Sequence, residues 1–150
     1  MLIQNKSIKI ITDLPTIGYV FKQIEGLSNY YPNFTNWYWD KLVPNILLGN
    51  DKILGLFKGN NLIGLSIIKD QEEKKLRALR ILDQYKNKGY ALNLIDESLK
   101  ILNIDKPLCS VPEELFHDFS RIFINRYSFE VNEVKKGIYR KKKLEYFFNS

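Results

Sequence analysis

The chain has one cysteine, Cys109, one histidine, His117, and only eight glycines in 150 residues. A single cysteine excludes an internal disulfide and a cysteine-built metal cage, so no metal is expected. His117 has no visible partner and reads as a surface residue. No apolar run approaches the ~20 residues of a membrane-spanning helix. The opening "MLIQNKSIKIITD" lacks the apolar stretch and cleavage site of a signal peptide. The expected compartment is the cytoplasm, with no membrane partner, and the Asn-x-Ser/Thr triplets at Asn5 and Asn33 carry no weight there. Gly-x-x-x-x-Gly-Lys-Ser/Thr is absent, as is the three-glycine dinucleotide fingerprint. No repeat, low-complexity tract or Gly/Ser linker marks a boundary, so one domain over residues 1–150 is expected.

What is present is an ordinary globular composition, 45% hydrophobic and 27% charged. The net charge of +6 favours an acidic partner: nucleic acid, a phosphorylated ligand or an anionic surface. Much of it lies between Glu130 and Lys143. That segment reads either as an edge strand whose lysines discourage aggregation or as a binding surface.

Ser7 to Thr12 is β-branched and predicts a first strand, ended by Asp13-Leu14-Pro15. Helical spacing follows from Ile17 to Leu27, then a second helix from about Asn36 to Leu47 that Pro44 bends or ends. "ILGLFKGNNLIGLSIIKD" predicts a hairpin, Ile53–Phe57 and Leu62–Ile68 around Gly59-Asn60-Asn61. A strand from Lys75 to Leu82 leads into the clearest helix, with Leu92, Ile95, Leu99 and Leu102 on one face. Leu108 to Val111 is a short strand. Ser110-Val111-Pro112-Glu113 has capping-box spacing ahead of a helix that buries Leu115, Phe116, Phe119, Ile122 and Phe123. Tyr127–Val131 and Ile138–Phe147 complete the order as strands. The class is mixed α/β, in the order β-α-α-β-β-β-α-β-α-β-β.

The stretch "LRILDQYKNKGYALNLI" sets a basic turn and one glycine, Gly89, between a strand and a strong amphipathic helix. The first four N–H groups of a helix have no partner within it, and the dipole there is positive. Small residues such as Gly89 and Ala91 let a ligand reach that backbone, and a phosphate is the natural occupant. Read alone, the same residues also describe a tight turn with solvated lysines.

In this order of elements, Leu79 to Ala91 resembles motif A of the GNAT superfamily of acyl-CoA-dependent N-acetyltransferases. That motif is a hydrophobic strand, then Arg/Gln-x-x-Gly-x-Gly/Ala opening a helix, with Lys86 here in the Arg/Gln place. "INRYSFEV" resembles the family's later Tyr-x-x-x-Gly-Phe, with Ser128 and Phe129 in the Gly-Phe places. The resemblance implies a single-domain GNAT-like mixed central sheet flanked by helices. It also implies acetyl-CoA as co-substrate. The backbone of Leu79, Arg80 and Ile81 would pair with the pantetheine arm. The N–H groups of Asn87, Lys88, Gly89, Tyr90, Ala91 and Leu92 would hold the pyrophosphate. A splay between this strand and the one at Leu108–Val111 would admit the thioester.

The chain departs from the family at both acid–base places. Ile124 stands where the family's tyrosine acid falls, so Tyr127, one turn later, is the substitute candidate, against an ordinary half-exposed tyrosine. Lys75 stands where some members carry a glutamate, which leaves a water-mediated base. Cys109 is either an acyl-carrying nucleophile or a small core residue. Tyr30, Tyr31, Phe34, Trp37, Tyr38 and Trp39 crowd into ten residues, lining an acceptor site or packing helices onto the sheet. Trp37 and Trp39 cannot point the same way on a helix.

The leading expectation is an N-acetyltransferase for a primary amine: a small amine, a protein amine or an aminoacyl-tRNA, the basic charge favouring RNA contact. The alternatives are a catalytically silent acyl-CoA-binding module and a basic nucleic-acid-binding domain. A homodimer is open.

Overall fold

The computed structural model describes residues 5–150. Four antiparallel strands, β1 (Lys6–Ile11), β2 (Asp51–Lys58), β3 (Asn61–Asp70) and β4 (Lys74–Ile81), lie in sequential order. A two-residue turn, Gly59-Asn60, closes the β2–β3 hairpin, because Lys58 already pairs with Asn61. β2 and β3 are buried along most of their length, which is why they read as continuous apolar runs rather than alternating ones. Three further strands form a second sheet in the order β5 (Cys109–Pro112), β7 (Leu144–Phe148), β6 (Val131–Lys136). The expected order of elements holds.

Helices cover both faces. On one, α1 (Leu14–Ile24) packs Ile17, Val20 and Ile24 against Ile11, Ile53, Leu65 and Ile67. Asp13-Leu14-Pro15 starts this helix rather than only ending β1. The Asp13 carboxylate accepts from Thr16 N–H at 3.0 Å, and Pro15 occupies a first-turn position where its missing N–H costs nothing. The second expected helix is one run in three pieces: α2 (Phe34–Trp37), a π-helical turn (Tyr38–Leu42) and α3 (Val43–Leu47). The widened turn ends two residues before Pro44, which has no N–H to continue a regular ladder.

On the other face, α4 (Tyr90–Leu102) buries Leu94, Ile95, Ser98 and Leu102. Leu92 and Leu99 were expected in that stripe and are only half-buried. The stripe turns because Ser98 is satisfied in the core: its hydroxyl reaches Leu94 O at 2.7 Å and Ser66 Oγ at 2.8 Å. A small polar side chain there brings α4 close to β3. The last helix, α5 (Phe116–Tyr127), buries Phe123 fully and Phe116, Phe119 and Ile122 in part.

The expected capping box does not form. Ser110 lies in β5 and bonds Glu145, while Glu113 Oε1 accepts from Leu144 N–H at 2.7 Å. The strand expected from Tyr127 starts at Val131, because α5 runs through Tyr127 and ends on Ser128 at φ 57°. The strand expected from Ile138 starts at Leu144, and residues 137–143 form the β6–β7 loop.

Candidate functional site

The two sheets meet at one point. Leu76 N–H donates to Leu108 O at 2.9 Å and Leu108 N–H to Lys74 O at 3.0 Å, making a single parallel bridge, Lys75–Leu108. β4 skips a residue at Arg77, since Leu76 faces Ile68 and Ala78 faces Ile67. This bulge bends the strand at the place where its pairing with β5 stops. The outer edge of β4 toward Ile81 has no strand beside it among the described residues.

That open edge leads into a cleft of about 820 Å³ between β4, the turn after it, the first turn of α4 and one side of α5. Leu79, Arg80, Ile81, Asn87, Gly89, Tyr90, Ala91 and Leu92 line it; Lys88 does not. No side chain caps α4, whose preceding residue Gly89 sits at φ 82°. Arg80, Lys86, Arg121 and Arg126 face the cleft against one carboxylate, Asp118. The excess of cations suits a phosphate-bearing ligand. Lys86 is held 3.0 Å from Asp83, whose carboxyl that contact draws below its ordinary range. The α5 contributors, Asn125 among them, were missed by sequence reading. Their only signal is the i, i+3, i+4 spacing of Asp118, Arg121, Ile122, Asn125 and Arg126.

Tyr127 does not line the cleft. Its hydroxyl donates to Asp96 Oδ1 at 2.7 Å, and burial followed by Asp96 pushes its pKa up. Ile124 is 39% exposed. With the Tyr127 hydroxyl committed to Asp96, Tyr127→Phe is expected to lower any turnover less than about tenfold and stability by about 1 kcal/mol. A hundredfold loss of turnover in a steady-state assay would instead assign it the acid role. Lys75 Nζ pairs with Glu73 at 3.1 Å. Cys109 is buried, and burial pushes its thiol up to about 12, which keeps it protonated and unreactive. His117 is exposed.

The opposite face of the splay carries the aromatic segment. Phe34 and Tyr38 are core residues, Tyr38 donating to Ile17 O at 2.6 Å. Trp37 packs inward beneath Arg77, with the guanidinium carbon 5.5 Å from the ring centre, whereas Trp39 is 39% exposed. Tyr31 points elsewhere, to Glu145 on β7. Glu145 is 3% exposed and accepts from Tyr31 and from Ser110, both at 2.7 Å. Burial raises its pKa despite those bonds and nearby Arg140. The sign follows: a carboxyl raised in the folded state costs stability as pH climbs through that pKa. Glu145→Gln is therefore expected to melt above wild type at neutral pH and to lose that advantage below about 4.3, the ordinary glutamate value. A thermal scan against pH checks it.

No helix among the described residues is long and apolar enough to cross a membrane, and none of their His, Cys, Asp and Glu side chains group as a metal site.

No protein-family model and no curated protein matches the chain. Solved structures do. The ribosomal-protein-S18-alanine N-acetyltransferase of Escherichia coli aligns at TM-score 0.74 and 10% identity, over 96% of this chain and 92% of that one. The PaiA N-acetyltransferase of Thermoplasma acidophilum, in complex with coenzyme A, aligns at 0.68 and 18%, over 94% and 98%. The spermidine N-acetyltransferase of Vibrio cholerae, in complex with coenzyme A and spermine, aligns at 0.67 and 14%, over 95% and 93%. The chain has the fold of the GNAT acetyltransferases.

Proposed function

We propose that this chain, as one domain over residues 1–150, is an acetyl-CoA-dependent N-acetyltransferase acting on a primary amine. The observation that supports it most is the junction of β4 and β5. A sheet held together at one bridge, opening into a cation-lined cleft beside an uncapped helix, offers a place for an extended thioester with a pyrophosphate at one end.

The donor set fits that ligand. The N–H groups from Asn87 to Leu92 are the candidates for the pyrophosphate, with Arg80, Lys86, Arg121 and Arg126 beside them. Lys88 stays in the reading as a source of charge near the turn. The backbone of Leu79, Arg80 and Ile81 is the candidate partner for the pantetheine arm. Acetyl-CoA supplies the acyl group as a thioester. This chain must align the amine, accept its proton and stabilise the oxyanion, for which backbone N–H groups of bent β4 are the candidates. Tyr127 is kept as a candidate acid that would first have to release Asp96.

The acceptor is an amine. Two structural neighbours are named for such acceptors, an alanine of ribosomal protein S18 and spermidine. An aminoacyl-tRNA acceptor rests on the lysines of residues 130–143 and predicts steeply salt-dependent RNA binding.

Calorimetric titration with acetyl-CoA tests the reading. Saturable binding is expected, and a folded protein that does not bind would overturn it. Binding with no turnover on any amine would favour a silent acyl-CoA-binding module, the reading that Ile124 in the tyrosine place supports.

A further inference from the structure

Glu145 is buried without forming an ion pair among the described residues. Arg140, whose charge acts on Glu145, is occupied by Glu114 through two bonds of 2.7 Å. Both hydrogen bonds of the Glu145 carboxylate fall on Oε2, and Oε1 has none among the described residues. An isolated carboxylate in an apolar strand, "LEYFF", is costly, and two hydroxyls only partly offset that cost.

Its position follows from strand register. β5 leaves the Lys75–Leu108 bridge parallel to β4, so Ser110 is level with Arg77 and Pro112 with Leu79, to within the one-residue bulge. Glu145 is the register partner of Pro112. Cys109 and Val111 pack into the α4–α5 core, so alternation turns Ser110, Pro112 and Glu145 to the opposite face. There Tyr31 reaches the carboxylate and Tyr139 meets Tyr31 edge-on, ring centres 5.1 Å apart. Pro112 thus faces Leu79 across the open gap, and the Glu145 carboxylate stands one strand further, on the face away from the α4–α5 core.

We propose that Glu145 is the acceptor-binding base: its carboxylate binds the primary ammonium and takes its proton, held by Tyr31 and Ser110 and walled by Tyr139. The assignment rests on the acetyltransferase reading above. In the step, R–NH3⁺ gives one proton to Glu145 and becomes R–NH2. The nitrogen lone pair forms the N–C bond to the thioester carbonyl carbon. As the tetrahedral intermediate collapses, the C–S bond breaks, the sulfur keeps that electron pair and takes the second nitrogen proton. The products are R–NH–COCH3 and the free thiol, and Glu145 returns its proton to solvent. Two tyrosine rings beside a carboxylate also favour a cation over a neutral acceptor.

The groups around Glu145 are few. Tyr31 comes from the segment before α2, Tyr139 and Arg140 from the β6–β7 loop, and Glu114 from the turn before α5. Arg77 of β4 acts on Tyr139. Lys135, opposite Glu145 on β6, turns away to Glu133 and the Phe147 ring. Burial raises the Glu145 pKa above the ordinary glutamate range, the direction that makes a carboxylate a better proton acceptor.

The test uses the full chain, acetyl-CoA, and butylamine and spermidine as probe acceptors, with thiol release followed from about pH 6 to about pH 10. Wild-type kcat/KM is expected to level off once the carboxyl is ionised. Glu145→Gln should lose roughly 10²–10⁴-fold near neutrality. It should then climb about tenfold per pH unit toward the amine's own pKa of ~10.4, with acetyl-CoA affinity unchanged. Tyr31→Phe removes a bond that favours the ionised carboxylate, so its inflection should move to higher pH; it carries the test if Glu145→Gln fails to fold. A Glu145→Gln enzyme with the wild-type rate and profile overturns the assignment. So does a wild type that binds acetyl-CoA yet acetylates neither probe, since a base at Glu145, 3% exposed, requires that a slim primary ammonium such as butylamine reach the carboxylate. Absence of acetyl-CoA binding would sink the acetyltransferase reading itself, and calorimetry separates that failure from the others.

Discussion

Gly89→Asp is expected to weaken acetyl-CoA binding at least about a hundredfold, about 2.7 kcal/mol, while the chain stays folded. A Cβ at Gly89 would meet nothing within 4 Å, so no clash opposes the variant. Its cost in the folded state is the φ of 82°, a region that side chains enter at about 1–2 kcal/mol, less for aspartate. The loss of binding has two causes. The new carboxylate sits at the N-cap of α4, where it would accept from the same first-turn N–H groups that a pyrophosphate needs. It also places a negative charge against the ligand's own. Gly89→Ala carries the strain without the charge and should keep most of the affinity. Calorimetry on both variants separates the causes, and equal losses would mean that backbone shape rather than charge governs the turn.

Gly64→Ala should have the largest effect on stability, about 1–3 kcal/mol by urea denaturation, and should weaken the cofactor site as well. An added Cβ would lie 2.6 Å from the Arg80 carbonyl oxygen, 2.7 Å from Ile81 Cδ1 and 3.2 Å from Ile81 Cα. Two of these are backbone atoms and cannot swing aside, so β4 must move away from β3. The moved segment, Arg80–Ile81, is a wall of the cleft. Gly26→Ala meets nothing within 4 Å and serves as the neutral comparison. If Gly64→Ala matched it in both stability and acetyl-CoA affinity, the close approach of β3 and β4 would not be what shapes the cleft.

Much of the fold was legible because periodicity is local. The hairpin, the strand into Gly89, the helix after it and the order of elements all follow from runs a few residues long. The errors came where a polar group was satisfied from afar. Ser98 interrupts the apolar face of α4 yet is buried, because its hydroxyl bonds Leu94 O in its own helix and Ser66 on β3. Ser110 and Glu113 had the spacing of a cap, but both are used by β7, more than thirty residues on. Tyr127 lay at a plausible distance from the motif, and only packing aims its hydroxyl at Asp96.

By itself, the sequence pointed to the proposed cofactor side of this protein. Its turn, glycine and helix are contiguous, so residues 79–92 carry their own geometry in backbone propensity and spacing. The proposed acceptor side emerged only in three dimensions. Tyr31, Arg77, Ser110, Tyr139 and Glu145 come from separate elements, and their meeting depends on where β4 and β5 part. That parting is set by one bridge and one bulge. Both are properties of strand pairing between distant segments, which no local pattern encodes.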